Sequence, residues 1–337
     1  MRRMLRRYEY GVYFGGILPL LMSPPAFAQA SAAVAAGRVA PDIKAPSEIV
    51  AAAPAADWVA IAPIDLLVMD LAPAADRPST GSGLRRIVIQ LMPPPFSQGW
   101  VGNIRKLAAA RFWDGTSVNR VQDNYVVQWG DANAEDKTKA RKLPAGLATV
   151  AQGEYITKVS GGDPLKSLKL SPDGYSQFTI FRGGWQFAVD YPTVHSLDFA
   201  GWPVHCYGMV GVGRDLPPNT GTGAELYTVI GHAPRHLDRN IALVGRVIAG
   251  IEHLSSLPRG TGALGFYEKP EQRVGVTSIR IGNEVAGLPR YQYLSTESAS
   301  FAAYADARAN RRDAFFVVPA GGADICNIPV PVREVKK

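Results

Sequence analysis

Residues 112–131, FWDGTSVNRVQDNYVVQWGD, constrain the fold more than any other stretch of this chain. A turn signal, Asp114-Gly115-Thr116, precedes two short segments in which apolar and polar residues alternate, Ser117–Val121 and Asn124–Gln128. A period of two belongs to strands that bury one face. A single Arg120 and a single Gln128 stand among residues that otherwise read as strand.

The same grammar repeats along the chain. Asp65–Leu71 and Arg86–Leu91 have strand composition and flank a turn-rich loop, Pro73–Gly83, which predicts a long-looped hairpin. Ser97–Arg111 sets Val101, Ile104, Leu107 and Ala108 on one helical face, with Ser97 as the expected N-cap. The section 132–205 mixes loop signals (SGGDPLKS, SPDGY) with strand-like Phe178–Phe181 and Trp185–Val189, and reads as a large loop insertion. Tyr207–Gly213, Ala224–Ile230, Ala242–Val247 and Val274–Ile281 read as further strands. Ile248–Leu257 reads as a second helix that Pro258 and Gly260 end. Residues 284–337 form a C-terminal extension with a helix expected at Ser298–Arg312 and a strand at Phe315–Val318. Many short strands with one early and one late helix predict a mainly β protein, a closed antiparallel barrel capped at both ends.

Composition enters mainly by exclusion. The 337 residues are 47% hydrophobic and 19% charged, enough to bury a sizeable core. The net charge is +7, and residues 1–9 supply three of those charges through Arg2, Arg3, Arg6, Arg7 and Glu9. The rest is too scattered to argue for nucleic acid. Those arginines, the apolar run Gly11–Met22 and Ala26-Phe27-Ala28 read as a cleavable secretory signal over residues 1–28, with an uncleaved anchor as the alternative. No later segment approaches membrane-spanning length. Residues 29–56, rich in Ala, Pro and Val, read as a linker. An exported chain of this kind is expected in the periplasm.

Only Cys206 and Cys326 are present. An oxidising compartment allows one disulfide, which would tie the extension to the middle of the chain; the other reading of Cys206 is a buried small residue. His195, His205 and His232 have no acidic or cysteine partner at ligand spacing, so no metal site is expected, nor any cofactor. Asn219–Gly223 is glycine-rich, but no Lys or helix start follows as phosphate binding needs.

Asn119-Arg120-Val121, Tyr125 and Gln128-Trp129-Gly130-Asp131 resemble the active-site strands of the cyclophilin family of peptidyl-prolyl isomerases. The family pattern is Phe-His-Arg-Val, then Phe, then Gln-Gly-Gly-Asp. Tyr207–Gly213 resembles its Met-Ala-Asn-Ala run, Ala224–Ile230 its Ser-Gln-Phe-Phe-Ile strand, and His236-Leu237-Asp238 its Trp-Leu-Asp. Ala242–Val247 resembles its Val-Val-Phe-Gly-Lys-Val strand. The resemblance covers residues 57–283 with the insertion at 132–205, and implies an eight-stranded barrel with two capping helices.

The resemblance also implies a chemistry. An X–Pro amide rotates over a barrier of about 18–20 kcal/mol. Twisting it breaks resonance and gives the prolyl nitrogen a lone pair, so a guanidinium fixed there binds the twisted state best. Arg120 is the implied catalytic residue. Tyr125, Val126, Tyr227 and Leu237 would wall the proline slot, with His236 closing one side. Gln128 would bond the substrate backbone, Val210-Gly211 would receive it as an edge strand does, and Glu225 stands where the family has Gln. Asn119 replaces the family's His, and Ile241 a second His. Proline-containing segments of exported polypeptides are the implied partners. The alternative is a non-catalytic peptide-binding or chaperone module using the same groove, which Asn119 and Glu225 favour.

Overall fold

The computed structural model describes residues 43–73, 85–159, 171–191 and 198–335. The proposed signal, the start of the linker and most of the first hairpin loop lie outside the described residues.

The first strands are β1 (Trp58–Ile61), β2 (Leu66–Leu71), β3 (Arg85–Leu91), β4 (Thr116–Val121) and β5 (Val126–Gly130). The insertion contributes β6 (Thr157–Val159), β7 (Ser171–Pro172), β8 (Phe178–Arg182), β9 (Trp185–Asp190) and β10 (Phe199–Pro203). After it come β11 (Met209–Val212), β12 (Leu226–Val229), β13 (Leu243–Ala249), β14 (Val274–Ile281), β15 (Arg290–Leu294) and β16 (Val332–Val335). The helices are α1 (Pro46–Ala52), α2 (Gln98–Ala109), α3 (Glu252–Ser255) and α4 (Ala299–Ala309).

Eight strands close a barrel in the order β11-β12-β5-β4-β14-β2-β3-β13, every neighbouring pair antiparallel. The long-looped hairpin is the β2–β3 pair, Leu66 opposite Gln90 through Leu71 opposite Arg85. Inward residues such as Leu67, Met69, Ile87, Ile89, Val118, Val127, Val210 and Ile279 fill the interior. Burial of each large apolar side chain contributes about 1.5–3 kcal/mol. Helix α2 lays Trp100, Val101, Ile104, Leu107 and Ala108 on that core, the face its spacing predicts. Ser97 occupies the cap position but has a left-handed φ of 56° and no side-chain cap bond.

Several expectations are corrected. The second helix is only the four-residue α3, because β13 runs on through Ile248 to Ala249, which pairs with Val88. The insertion is no mere loop: it holds a five-stranded sheet, β6-β10-β9-β8-β7. Its Ile180, Trp185, Phe187, Val189, Phe199 and Trp202 merge with the barrel core. Arg246 on β13 fastens it, donating to Gly184 O (2.7 Å) and to Gln90 Oε1.

The linker is not structureless either. Helix α1 packs its Ile49 and Val50 against a second core of Trp58, Leu294, Phe301, Tyr304, Ile328 and Val330. Thus β1, β15 and β16 form a three-stranded sheet built from both flanks of the barrel sequence. Helix α4 has Ser298 as its N-cap, accepting from Phe301 N (3.1 Å). Phe315–Val318 is not a strand but an exposed turn segment. Cys206 and Cys326 are disulfide-bonded, joining the extension to the barrel.

Candidate active site

Strand β4 carries a register shift between Val118 and Arg120. One extra residue there re-aims the strand. Arg120 consequently stands opposite Gln128 on β5, at the wall of a groove of about 620 Å³. Arg120 Nη1 donates to Gln128 Oε1 (3.1 Å), Nε donates to Leu264 O (2.7 Å), and Nη2 donates to Gln122 Oε1. The rings of Tyr125 and Phe266 lie 5.7 and 5.4 Å from its guanidinium carbon. Partial burial draws its pKa below the ordinary arginine value.

Gln128 also donates, through Nε2, to Glu225 Oε1 (3.2 Å). Arg120, Gln128 and Glu225 are therefore one chain of hydrogen bonds. Burial pushes the Glu225 carboxyl up to about 7, assisted by the nearby carboxyls of Asp131, Glu135 and Asp215 and only partly offset by Gln128.

An apolar slot opens beside Arg120. Val126 and Tyr227 cluster with Val229, and Tyr125 and Ile241 pack against them. Tyr125, Val126, Tyr227, Leu237 and Ile241 all line the groove. The Tyr227 ring reaches across Gly211, where a Cβ would lie 2.3 Å from its hydroxyl oxygen, so only glycine fits. Its hydroxyl meets His205 Nε2 at 2.8 Å, and His205 Nδ1 meets Asp238 Oδ1 at 2.8 Å. Asp238 Oδ1 also accepts from the His205 main-chain N–H (2.9 Å). An oxygen accepting on that side assigns the ring proton to Nδ1 and leaves Nε2 to accept from Tyr227. Burial holds the His205 pKa below its ordinary value, against the opposing pull of Asp238. Asp238 Oδ2 accepts from Arg235 Nε (2.5 Å), and Arg235 reaches Asp173 of the insertion through two further bonds of 3.1 and 2.7 Å.

Of the residues singled out from sequence, Arg120, Tyr125, Val126, Gln128, Glu225, Tyr227 and Leu237 come together around the groove. Four do not line it. Asn119 is buried in the strand pairing, its Nδ2 donating to Gly130 O (3.2 Å) and its Oδ1 accepting from Ser117 Oγ (2.6 Å). Val210 and Gly211 lie in β11, which is paired on both sides by β12 and β13, so no free edge receives a peptide there. His236 stacks parallel to Tyr125 at 6.3 Å and does not close the slot itself. Sequence reading missed Phe112, Leu264 and Phe266 on the groove and His205 behind it. A large aromatic in the glycine-rich run GTGALGF was the one signal for Phe266.

The barrel and its groove agree with what comparison finds. The family described as cyclophilin type peptidyl-prolyl cis-trans isomerase/CLD matches residues 79–281, more than half of the chain. The chain belongs to this family of peptidyl-prolyl cis-trans isomerases. The crystal structure of the cyclophilin AquaCyp293 from Hirschia baltica superposes with a TM-score of 0.60 at 20% identity, covering 82% of this chain and 93% of its own. A cyclophilin type peptidyl-prolyl cis-trans isomerase from Cryptosporidium parvum gives 0.37 at 12% identity, covering 64% and 96%. No curated protein matches the sequence.

Proposed function

We propose that this isomerase acts on X–Pro bonds of exported polypeptides in the periplasm, and that Arg120 stabilises the twisted amide over the slot walled by Tyr125, Val126, Tyr227 and Leu237. The observation that carries the mechanism is the setting of Arg120. Its guanidinium stands beside an apolar slot, held by neutral acceptors and flanked by two rings. A donor fixed in place before the substrate arrives needs no reorganisation as the prolyl nitrogen turns pyramidal. Gln128, oriented between Arg120 and Glu225, is placed to bond the substrate backbone.

Export is supported by the signal-like residues 1–28 and by a disulfide that suits an oxidising compartment. Glu225 favours a second reading, a groove that holds peptides without accelerating them, since it adds charge where the family has an amide. Asn119 no longer argues for that reading, as its side chain serves the sheet.

A protease-coupled isomerisation assay with a proline tetrapeptide separates the two. Acceleration by the mature protein, reduced about a hundredfold or more in Arg120→Ala, is the expected result. Binding without acceleration would support the holding module, and an unchanged rate in Arg120→Ala would remove Arg120 from the mechanism.

A further inference from the structure

The segment from Gly260 to Tyr267 runs along β4 beyond Val118, where the β14 pairing ends, without being a barrel strand. Gly260 N donates to Val121 O and Tyr267 N to Asn119 O, both at 2.9 Å. Arg120 and Phe266 form an isolated antiparallel bridge between them. Two successive left-handed residues turn the tip, Leu264 at φ 56° and Gly265 at φ 79°. A Cβ on Gly265 would stand 2.6 Å from Gln122 Cα, so the tip presses its backbone directly onto the chain leaving β4.

That close approach leaves two large side chains at the rim. Leu264 is 66% exposed and Phe266 40% exposed, yet both line the groove. The hydrogen-bond chain gives the groove a direction, running from Leu264 O to Arg120, then Gln128, then Glu225. At the Glu225 end stand Asp131, Glu135, Asp215, Arg141 and Arg214. At the other end, against Arg120 itself, stand Leu264 and Phe266. The groove therefore has a charged end and an apolar end, with Arg120 between them.

We propose that Leu264 and Phe266 are a specificity wall that receives a large apolar side chain immediately beside the isomerised proline. The inference rests on the reading of this groove as the isomerase site. An apolar side chain seated there removes two exposed hydrophobic groups from water. A lysine in the same place loses hydration against an apolar wall and faces the Arg120 cation.

The test is a protease-free one, exchange NMR on tetrapeptides whose residue before proline, and then after it, is Phe, Leu, Ser or Lys. At one of those two positions kcat/KM for Phe or Leu is expected to exceed that for Lys by about tenfold, the scale of apolar discrimination. Leu264→Asn tolerates the left-handed backbone and keeps the carbonyl that anchors Arg120. It and Phe266→Ser are each expected to cut the preference by about threefold or more. Equal acceleration of all peptides by the wild type overturns the wall but leaves the isomerase reading standing. So does a preference unchanged in both variants. A uniform loss across peptides in both variants also overturns it, since the loop would then only hold Arg120. No acceleration of any peptide by the wild type defeats the isomerase reading and the wall with it.

Discussion

Arg120 and Arg235 are both withdrawn from water and both packed against aromatic rings, yet their partners are of opposite kinds. Arg235 sits over Tyr175 at 5.1 Å and is gripped by the carboxylates of Asp238 and Asp173. Burial pulls its pKa down, but the hydrogen bonds and charges of those two acids outweigh it and hold the pKa above the ordinary value. Among the described residues, Arg120 bonds only neutral oxygens, and burial lowers its pKa. A guanidinium saturated by carboxylates is a structural clamp. One held by neutral acceptors has no carboxylate to compensate its charge, which is the setting the proposed donation to a twisted amide requires. Position 120 leaves its cation uncompensated, and position 235 neutralises its own.

Removing each cation in turn tests that contrast. Arg235→Ala leaves two buried carboxylates without their cation, and about 3–5 kcal/mol of stability is expected to be lost in urea denaturation. Its partners Asp173 and Asp238 belong to the insertion and to the loop between β12 and β13, so the two are expected to loosen together. Arg120→Ala should reverse the pattern: kcat/KM falls about a hundredfold, which is about 2.7 kcal/mol of barrier, while stability changes by about 1 kcal/mol or less. Arg120→Lys keeps the charge but lacks the planar fork, and should recover only a small part of the rate.

Glu225 sharpens the Arg120 side of the comparison through pH. Its folded pKa of about 7 lies above the ordinary 4.5, so the folded state holds this proton more tightly than the unfolded chain. The stability it contributes is fully present below about pH 4.5 and is lost as pH rises through about 7. The shift sets a ceiling of about 3 kcal/mol, and solvent access brings the expectation to about 1–2 kcal/mol. Glu225→Gln should therefore be more stable than wild type at pH 8 by that amount, with the gain shrinking as pH falls toward 4.5 in parallel denaturation curves.

Tyr227 touches both systems, since its ring floors the slot and its hydroxyl ends the Arg235 network. Tyr227→Phe leaves His205 Nε2 buried without its donor, and about 1 kcal/mol of stability is expected to be lost. If the hydrogen bond also holds the ring in place, KM for a proline peptide rises while kcat changes little. Loss of stability with KM unchanged would confine the His205 chain to a structural role.

Most of the barrel was legible because its strands are short, alternating and locally punctuated, and β2, β3, β4 and β14 fall within a residue of the segments read from sequence. The second helix misled because Ile248 and Ile251 fit a helical face, while pairing of Ala249 with Val88 keeps the chain extended to that point. Periodicity in so short a run cannot weigh a strand partner lying far away in sequence. The outer core failed for the same reason. Neither the Ala- and Pro-rich segment around α1 nor the extension holds a full hydrophobic face alone, and each supplies what the other lacks.

By itself the sequence determined the barrel's strands, the family and the group of side chains on β4, β5 and β12 that face a common groove, because these depend on local alternation and on order along the chain. Tertiary structure alone decided how Arg120 is held. Its carbonyl acceptor on Leu264 lies 144 residues away. Tyr227 is tethered by His205, which lies outside the family pattern and gains its meaning only when Asp238 and Gly211 are brought beside it. Which acceptors surround a cation, and whether they carry charge, depends on loops whose positions no spacing rule encodes. That neutral set of partners separates the uncompensated cation at position 120 from the clamp at position 235.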